Sequence, residues 1–164
     1  MAISVPANST QYANSIAKPP TANKPSDWGA KVRCSQSTLT FTAAGFTSAA
    51  AGDLALIRMP AGRVRILTDL SRIICPVGTA TSDLDVGIGT YVGMDGVAVA
   101  AAPIALADSL DVGGAAIDAA PVLPTNGELL VESVSGFNIV ASFDTANSPA
   151  SGDLIVRIVY MQGN

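Results

Sequence analysis

From Lys31 onward the chain is a succession of short runs in which apolar and polar residues alternate, each closed within a few residues by Gly, Pro, Asn, Asp or Ser. Alternation at period two assigns successive side chains to opposite faces of a strand, and closely spaced turn residues limit strand length. The pattern therefore calls for layered antiparallel sheets rather than packed helices. Residues 31–42 (KVRCSQSTLTFT) alternate, with Val32 and Cys34 on one face and Lys31, Arg33 and Ser35 on the other. Residues 53–59 (DLALIRM) form a short apolar run on both faces, closed by the turn Pro60-Ala61-Gly62. In 63–75 (RVRILTDLSRIIC), Val64, Ile66 and Leu70 are expected inside, and Arg63, Arg65 and Asp69 outside. In 83–91 (DLDVGIGTY), Leu84, Val86 and Ile88 oppose Asp83, Asp85, Gly87 and Gly89. Asp95-Gly96 marks a hairpin turn between Tyr91 and Val97. Strands are expected again at 128–134, 137–143 and 152–162, with Ser135-Gly136 as a tight turn and Phe137, Ile139, Ala141 and Phe143 on one face.

The phrases Gly52-Asp53-Leu54, Gly127-Glu128-Leu129 and Gly152-Asp153-Leu154 each open a strand, without the fixed period of a repeat. The Ala-rich stretch 100–126 has a different texture. Residues 104–111 (IALADSLD) are expected to form one or two helical turns, while Gly113, Gly114, Pro121, Pro124 and Gly127 exclude a long helix. Eight or so short strands without βαβ alternation predict an all-β fold, an antiparallel β-sandwich or jelly roll.

Residues 1–29 hold Pro6, Pro19, Pro20 and Pro25 among Ser, Asn, Thr and Gln, too little apolar surface to fold alone. The expected organisation is an extended N-terminal arm over 1–29 and a sandwich domain over 30–164. Fully extended, such an arm would span about 95 Å at roughly 3.3 Å per residue. Lys18, Lys24, Lys31 and Arg33 against Asp27 give residues 1–33 a charge of +3, while five Arg against twelve acids give 34–164 a charge of −7. A basic arm on an acidic body is either a docking strand for an acidic surface or a solubilising tail. Trp28, the single tryptophan, is expected to pack the arm root against the body. Charged residues make up only 13% of the chain, against about 25% in typical domains. A surface so poor in charge is expected to be covered by neighbouring subunits.

The chemistry available is narrow. There is no histidine, so neither Ser-His-Asp nor Cys-His catalysis can be assembled and no imidazole is present to shuttle protons. Glu128 and Glu132 would share a strand face about 13 Å apart at roughly 3.3 Å per residue, too far for a glycosidase pair. All three lysines lie in the arm or at its root. No catalytic residue, cofactor or metal ligand set is assigned. Cys34 and Cys75 are expected as buried free thiols rather than a disulfide. Asp83, Asp85 and Asp95 lack EF-hand spacing and are expected as solvated charges rather than a calcium site. Gly87, Gly89 and Gly93 fall within and just after a strand, not between a strand and a helix, and so point to close backbone approach or a bulge rather than to phosphate binding. Arg63 and Arg65, with Arg58 and Arg72 nearby, either meet acids of a neighbouring subunit or pair with Asp69, Asp83 or Asp85. No basic run with interleaved aromatics suits nucleic acid. The longest apolar run, Val97–Ala107, has eleven residues including Pro103, short of the about 20 that span a bilayer. Met1–Val5 has no positive n-region and no apolar stretch follows, so synthesis in a cytoplasm is expected, with no membrane partner.

The stretch from Gly52 to Gly96 contains Gly-Asp-Leu, an apolar strand, Pro60-Ala61-Gly62, Val64-x-Ile66, then Leu84-x-Val86-Gly87-Ile88-Gly89-Thr90-Tyr91 and Asp95-Gly96. It is matched at the other end by Gly152-Asp153-Leu154 with Val156-x-Ile158-x-Tyr160. Over roughly residues 45–162 this style of sequence resembles the small head decoration, or cement, proteins of tailed bacteriophages. The resemblance implies a β-sandwich without an active site, often trimeric, seated on the outer capsid and locking coat-protein capsomers together. It implies the major capsid protein as partner and the virion exterior as location. The arm residues Lys18, Lys24, Trp28, Lys31 and Arg33 would carry much of the contact. Tail or neck components of similar texture, and a carbohydrate-binding or adhesin-like sandwich, are the alternatives. The Ala-rich segment 97–120 has no counterpart in the resemblance.

Overall fold

The computed structural model describes residues 32–41, 54–78, 82–124, 126–143 and 148–163. Among them the strands are β1 (Val32–Phe41), β2 (Leu54–Met59), β3 (Gly62–Leu67), β4 (Arg72–Cys75), β5 (Asp83–Ile88), β6 (Tyr91–Val92) and β7 (Ala98–Val99). They continue with β8 (Ala102–Asp111), β9 (Ile117–Ala119), β10 (Glu128–Ser133), β11 (Phe137–Phe143) and β12 (Gly152–Gly163). Among the described residues the strand pairings are all antiparallel, as alternating patterns with short turns require. The arm expected over 1–29 lies outside the described residues, as do Lys18, Lys24, Trp28 and Lys31.

Two sheets face each other across one apolar core. The first has six strands in the order β10-β3-β12-β4-β9, with β1 also on β12. The second has the order β2-β11-β5-β8. Val64, Ile66, Ile73, Val156 and Ile158 of the first sheet and Leu84, Val86, Phe137, Ile139 and Phe143 of the second are all buried in a single cluster. Phe41 and Phe143 join the layers edge to face, ring centroids 5.8 Å apart. Each such side chain contributes about 1.5–3 kcal/mol on burial. This is the antiparallel β-sandwich that the alternation predicted.

Within the first sheet β3 and β4 act as one strand with an insertion. Ile66 stands opposite Tyr160 and Arg72 opposite Arg157, so six steps on one strand span three on β12. The three extra residues, Thr68–Leu70, form a single 3-10 turn. Ser71 closes the gap: its buried hydroxyl donates to the Leu67 carbonyl (2.8 Å) and accepts from the Val159 N–H (3.0 Å). The turn overturns the expected inward placement of Leu70, which is 60% exposed, because the alternation stops where the chain leaves the ladder.

The segment 104–111 is not helical; it belongs to β8, whose ladder with β5 overrides the helix propensity of its Ala and Leu residues. That ladder is irregular. Val86 faces Ala107 and Ile88 faces Ala102, so β8 bows out over β5, and a Cβ on Gly87 would overlap the backbone of Ala102 and Pro103. The close approach expected at Gly87 is thus found, and it explains the glycine. A second irregularity, between Leu84↔Leu110 and Val86↔Ala107, puts Ser109 at φ 51° and aims its N–H at Asp85. The Asp85 carboxylate accepts that hydrogen bond at 2.7 Å and is buried, correcting its expected solvated position. The Asp95-Gly96 turn closes the β6–β7 hairpin, with the Gly93 N–H on the Val97 carbonyl at 2.8 Å.

A candidate docking surface

The outer face of the six-stranded sheet follows from register. Opposite the buried Val64, Ile66, Val156 and Ile158, the alternate residues point outward, and directly paired residues share a face. Val32, Met161, Arg65 and Leu130 therefore form one row across β1, β12, β3 and β10. Thr38, Ile155, Ile74 and Asp118 form another, across β1, β12, β4 and β9. Gln36, Arg157 and Arg72 lie between them, as do Cys34 and Val159.

The charges on this face are satisfied within it. Arg63 pairs with Glu132 directly across the ladder, Arg65 with Glu128 at 3.2 Å, and Arg72 with Asp118 at 3.0 Å. Arg157 donates to Gln36 at 3.1 Å and Thr40 to Asp153 at 2.7 Å. The four arginines 63, 65, 72 and 157 thus balance the four acids 118, 128, 132 and 153. Arg63 and Arg65 do pair inside the chain, but with the two glutamates of β10 rather than with Asp69, Asp83 or Asp85. Exposed pairs of this kind are each worth at most about 1 kcal/mol; their effect is to leave the face neutral. Between them Val32 (60% exposed) and Leu130 (49%) stand open, with Ile74, Ile155, Val159 and Met161 half-buried.

The apolar row runs on past Leu130. The β6–β7 hairpin docks on the end of β10 through a Gly93–Ser133 bridge and a 3.1 Å bond from the Val134 N–H to the Val92 carbonyl. A shallow recess of about 460 Å³ lies there, lined by Tyr91, Met94, Val99, Leu130 and Glu132 among others. Apolar ground with paired charges at its margin has the anatomy of a protein-binding surface, and binding is what these side chains can perform. Of the other acids, Asp95 is exposed and also lines the recess, Asp83 faces Asp111 across β5 and β8, and Asp69 and Asp108 are exposed.

Of the residues expected to bind a partner, only Arg33 is described. It is exposed near the start of β1, opposite Tyr160 in register and on the other face of the strand from Val32 and Cys34. Asp83, Asp85 and Asp95 do not converge. Asp85 is held by Ser109, Asp95 accepts the Val97 N–H of its own turn at 3.0 Å, and no metal-holding cluster of His, Cys, Asp or Glu occurs among the described residues. Both cysteines are free, as expected, but Cys34 is exposed and only Cys75 buried. Cys34 lies on the outward side of β1, whose inward side is Ser35, Ser37, Leu39 and Phe41. Burial pushes the Cys75 thiol up to about 12, which keeps it protonated and inert at neutral pH.

No protein-family model matches this chain, and no curated protein matches it. Its fold is similar to solved structures. A chain of the structure described as "Capsid of Ralstonia phage GP4" aligns over 83% of this chain and 87% of its own, with TM-score 0.57 and 18% identity. A chain of "Cyanophage Pam1 capsid asymmetric unit" aligns over 97% of this chain and 100% of its own, with TM-score 0.52 and 16% identity. The likeness is one of fold.

Proposed function

We propose that this chain is a structural component of a bacteriophage virion that binds the outer capsid surface and stabilises contacts between coat-protein capsomers. The observation that carries the reading is the likeness of fold, over nearly the whole length of both chains, to a chain of the Pam1 capsid. The neutral, apolar-centred face of the six-stranded sheet supports it, since such a face suits protein contact. The partner is the major capsid protein, and the chain acts as a homo-oligomer, a trimer in the resemblance described above. The arm residues Lys18, Lys24, Trp28 and Lys31, with Arg33 at the start of β1, steer and anchor the contact.

The mechanism is linkage. Internal pressure strains the joints between capsomers, and a clamp that binds only the assembled lattice shifts the equilibrium toward the intact shell. Individual contacts need not be strong, because many copies engage at once. Ordering the arm on docking costs entropy and is offset by the large surface it wraps.

The test is sedimentation of the purified protein with empty capsids. The full chain co-sediments, and a variant lacking residues 1–29 stays folded by circular dichroism but remains in the supernatant. Undiminished binding of the shortened variant refutes the arm's role; no binding of the full chain to any capsid refutes the reading as a whole. For the carbohydrate-binding alternative, Tyr160 is buried in the core and offers no open platform for a sugar, while Tyr91, half-buried in the recess, has its ring packed against Phe137 with centroids 6.0 Å apart.

A further inference from the structure

The sheet edges are protected unequally. The outer edge strand β8 breaks register twice and carries Pro103. On the opposite side of its sheet β2 has an extra residue where Ile57 and Ala55 face Ile139 and Val140. In the other sheet β9 has three residues, and β10 carries Glu128 and Glu132 and is overlapped by the β6–β7 hairpin at Ser133. Bulges, proline, charge and shortness are the devices that keep sheet edges from pairing with other chains. β1 has only one of them, the single charge of Arg33. Its ten residues run in unbroken register against β12 from Val32↔Met161 to Phe41↔Gly152, without proline or bulge and with one charge. Among the described residues no strand pairs with its other edge.

We infer that β1 is a self-association edge: it pairs antiparallel with β1 of a second copy, about a two-fold axis, extending the six-stranded sheet into its partner. The strand is suited to its own copy. In any antiparallel register that overlaps more than half of it, Arg33 faces a neutral residue among Gln36 to Phe41 or lies beyond the end of the second β1, so no like charges of the two strands meet. The residues beside the edge, Gln36, Ser37 and Thr38, are polar enough to stay soluble before pairing and compact enough to let a second backbone approach. A two-fold contact uses the same strand on both sides and needs no further surface. The inference does not depend on the capsid reading, and it departs from the trimer that the resemblance implies; its test contains no capsids and decides between an even and an odd number of copies.

The test uses the full chain. Native mass measurement is expected to show an even number of copies. Cys34 lies on this strand, exposed, and Cys75 is buried, so a thiol-reactive spin label marks β1 alone. Pairing places two labels within about 30 Å along the strand axis, at about 3.4 Å per residue, and dipolar spectroscopy reads that separation. The double variant Gln36→Lys and Thr38→Lys, at two exposed side chains, sets like charges across the axis and is expected to halve the mass and abolish the coupling. A monomer, an odd number of copies, uncoupled labels, or a lysine variant of unchanged mass overturns the inference. Loss of capsid binding with pairing intact would count against the proposed function alone.

Discussion

A methyl group at position 87 would overlap the carbonyls of Ala102 and Pro103, because β8 bows across β5 at that point and backbone atoms cannot step aside as a flexible side chain can. Gly87→Ala is therefore expected to lower stability by about 3 kcal/mol, the upper end of the usual cost of overpacking, read as a lower urea midpoint. The Cys75 thiol makes a second prediction at this scale. Its folded value of about 12 lies above its ordinary 9.0, so the folded chain holds a proton that the unfolded chain releases. Stability is fully present below pH 9 and is lost as pH rises from there toward 12. Cys75→Ala loses a small amount of packing at neutral pH but is expected to flatten that alkaline decline in urea midpoints measured from pH 8 to 11. An equal decline in the variant would mean that the thiol does not contribute.

At the scale of elements, the insertion between β3 and β4 depends on one hydroxyl. Ser71→Ala leaves the Val159 N–H without its acceptor inside the sheet, and a loss of about 1–3 kcal/mol is expected from chemical denaturation, with faster exchange of the Val159 amide. Elements with clean alternation were legible in advance: Val64 and Ile66 inward with Arg63 and Arg65 outward, the Ser135-Gly136 turn, and β10, β11 and β12 within a few residues of their observed ends. Those that failed share one cause. Leu70 and the 104–111 segment both lie where the chain departs from period two, at a 3-10 turn and in a bulged strand, and there a residue's direction is set by its neighbour strand rather than by its own sequence. Asp85 is the sharpest case: only the bulge at Ser109 makes room for a buried carboxylate, and that bulge is 24 residues away in sequence.

At the scale of the molecule, charge poverty in the sequence suggested contact with other chains but did not indicate where the candidate docking surface would lie. The 13% charged content led to the expectation of a covered surface, yet which acids meet Arg63 and Arg65 depends on β10 lying beside β3, which brings together partners 63 and 69 residues apart in sequence that no local pattern encodes. Asp69, Asp95, Asp108 and Asp111, outside those pairs, are exposed.

The central position of β12 reaches beyond the finished fold. β1 leaves the ribosome well ahead of β12, and its whole length is zipped to residues 152–161. β3 and β4 likewise wait for residues 155–163. The first sheet thus cannot close until β12 has left the ribosome. The nascent polypeptide must carry unpaired, partly apolar strands until β12 emerges and inserts between them.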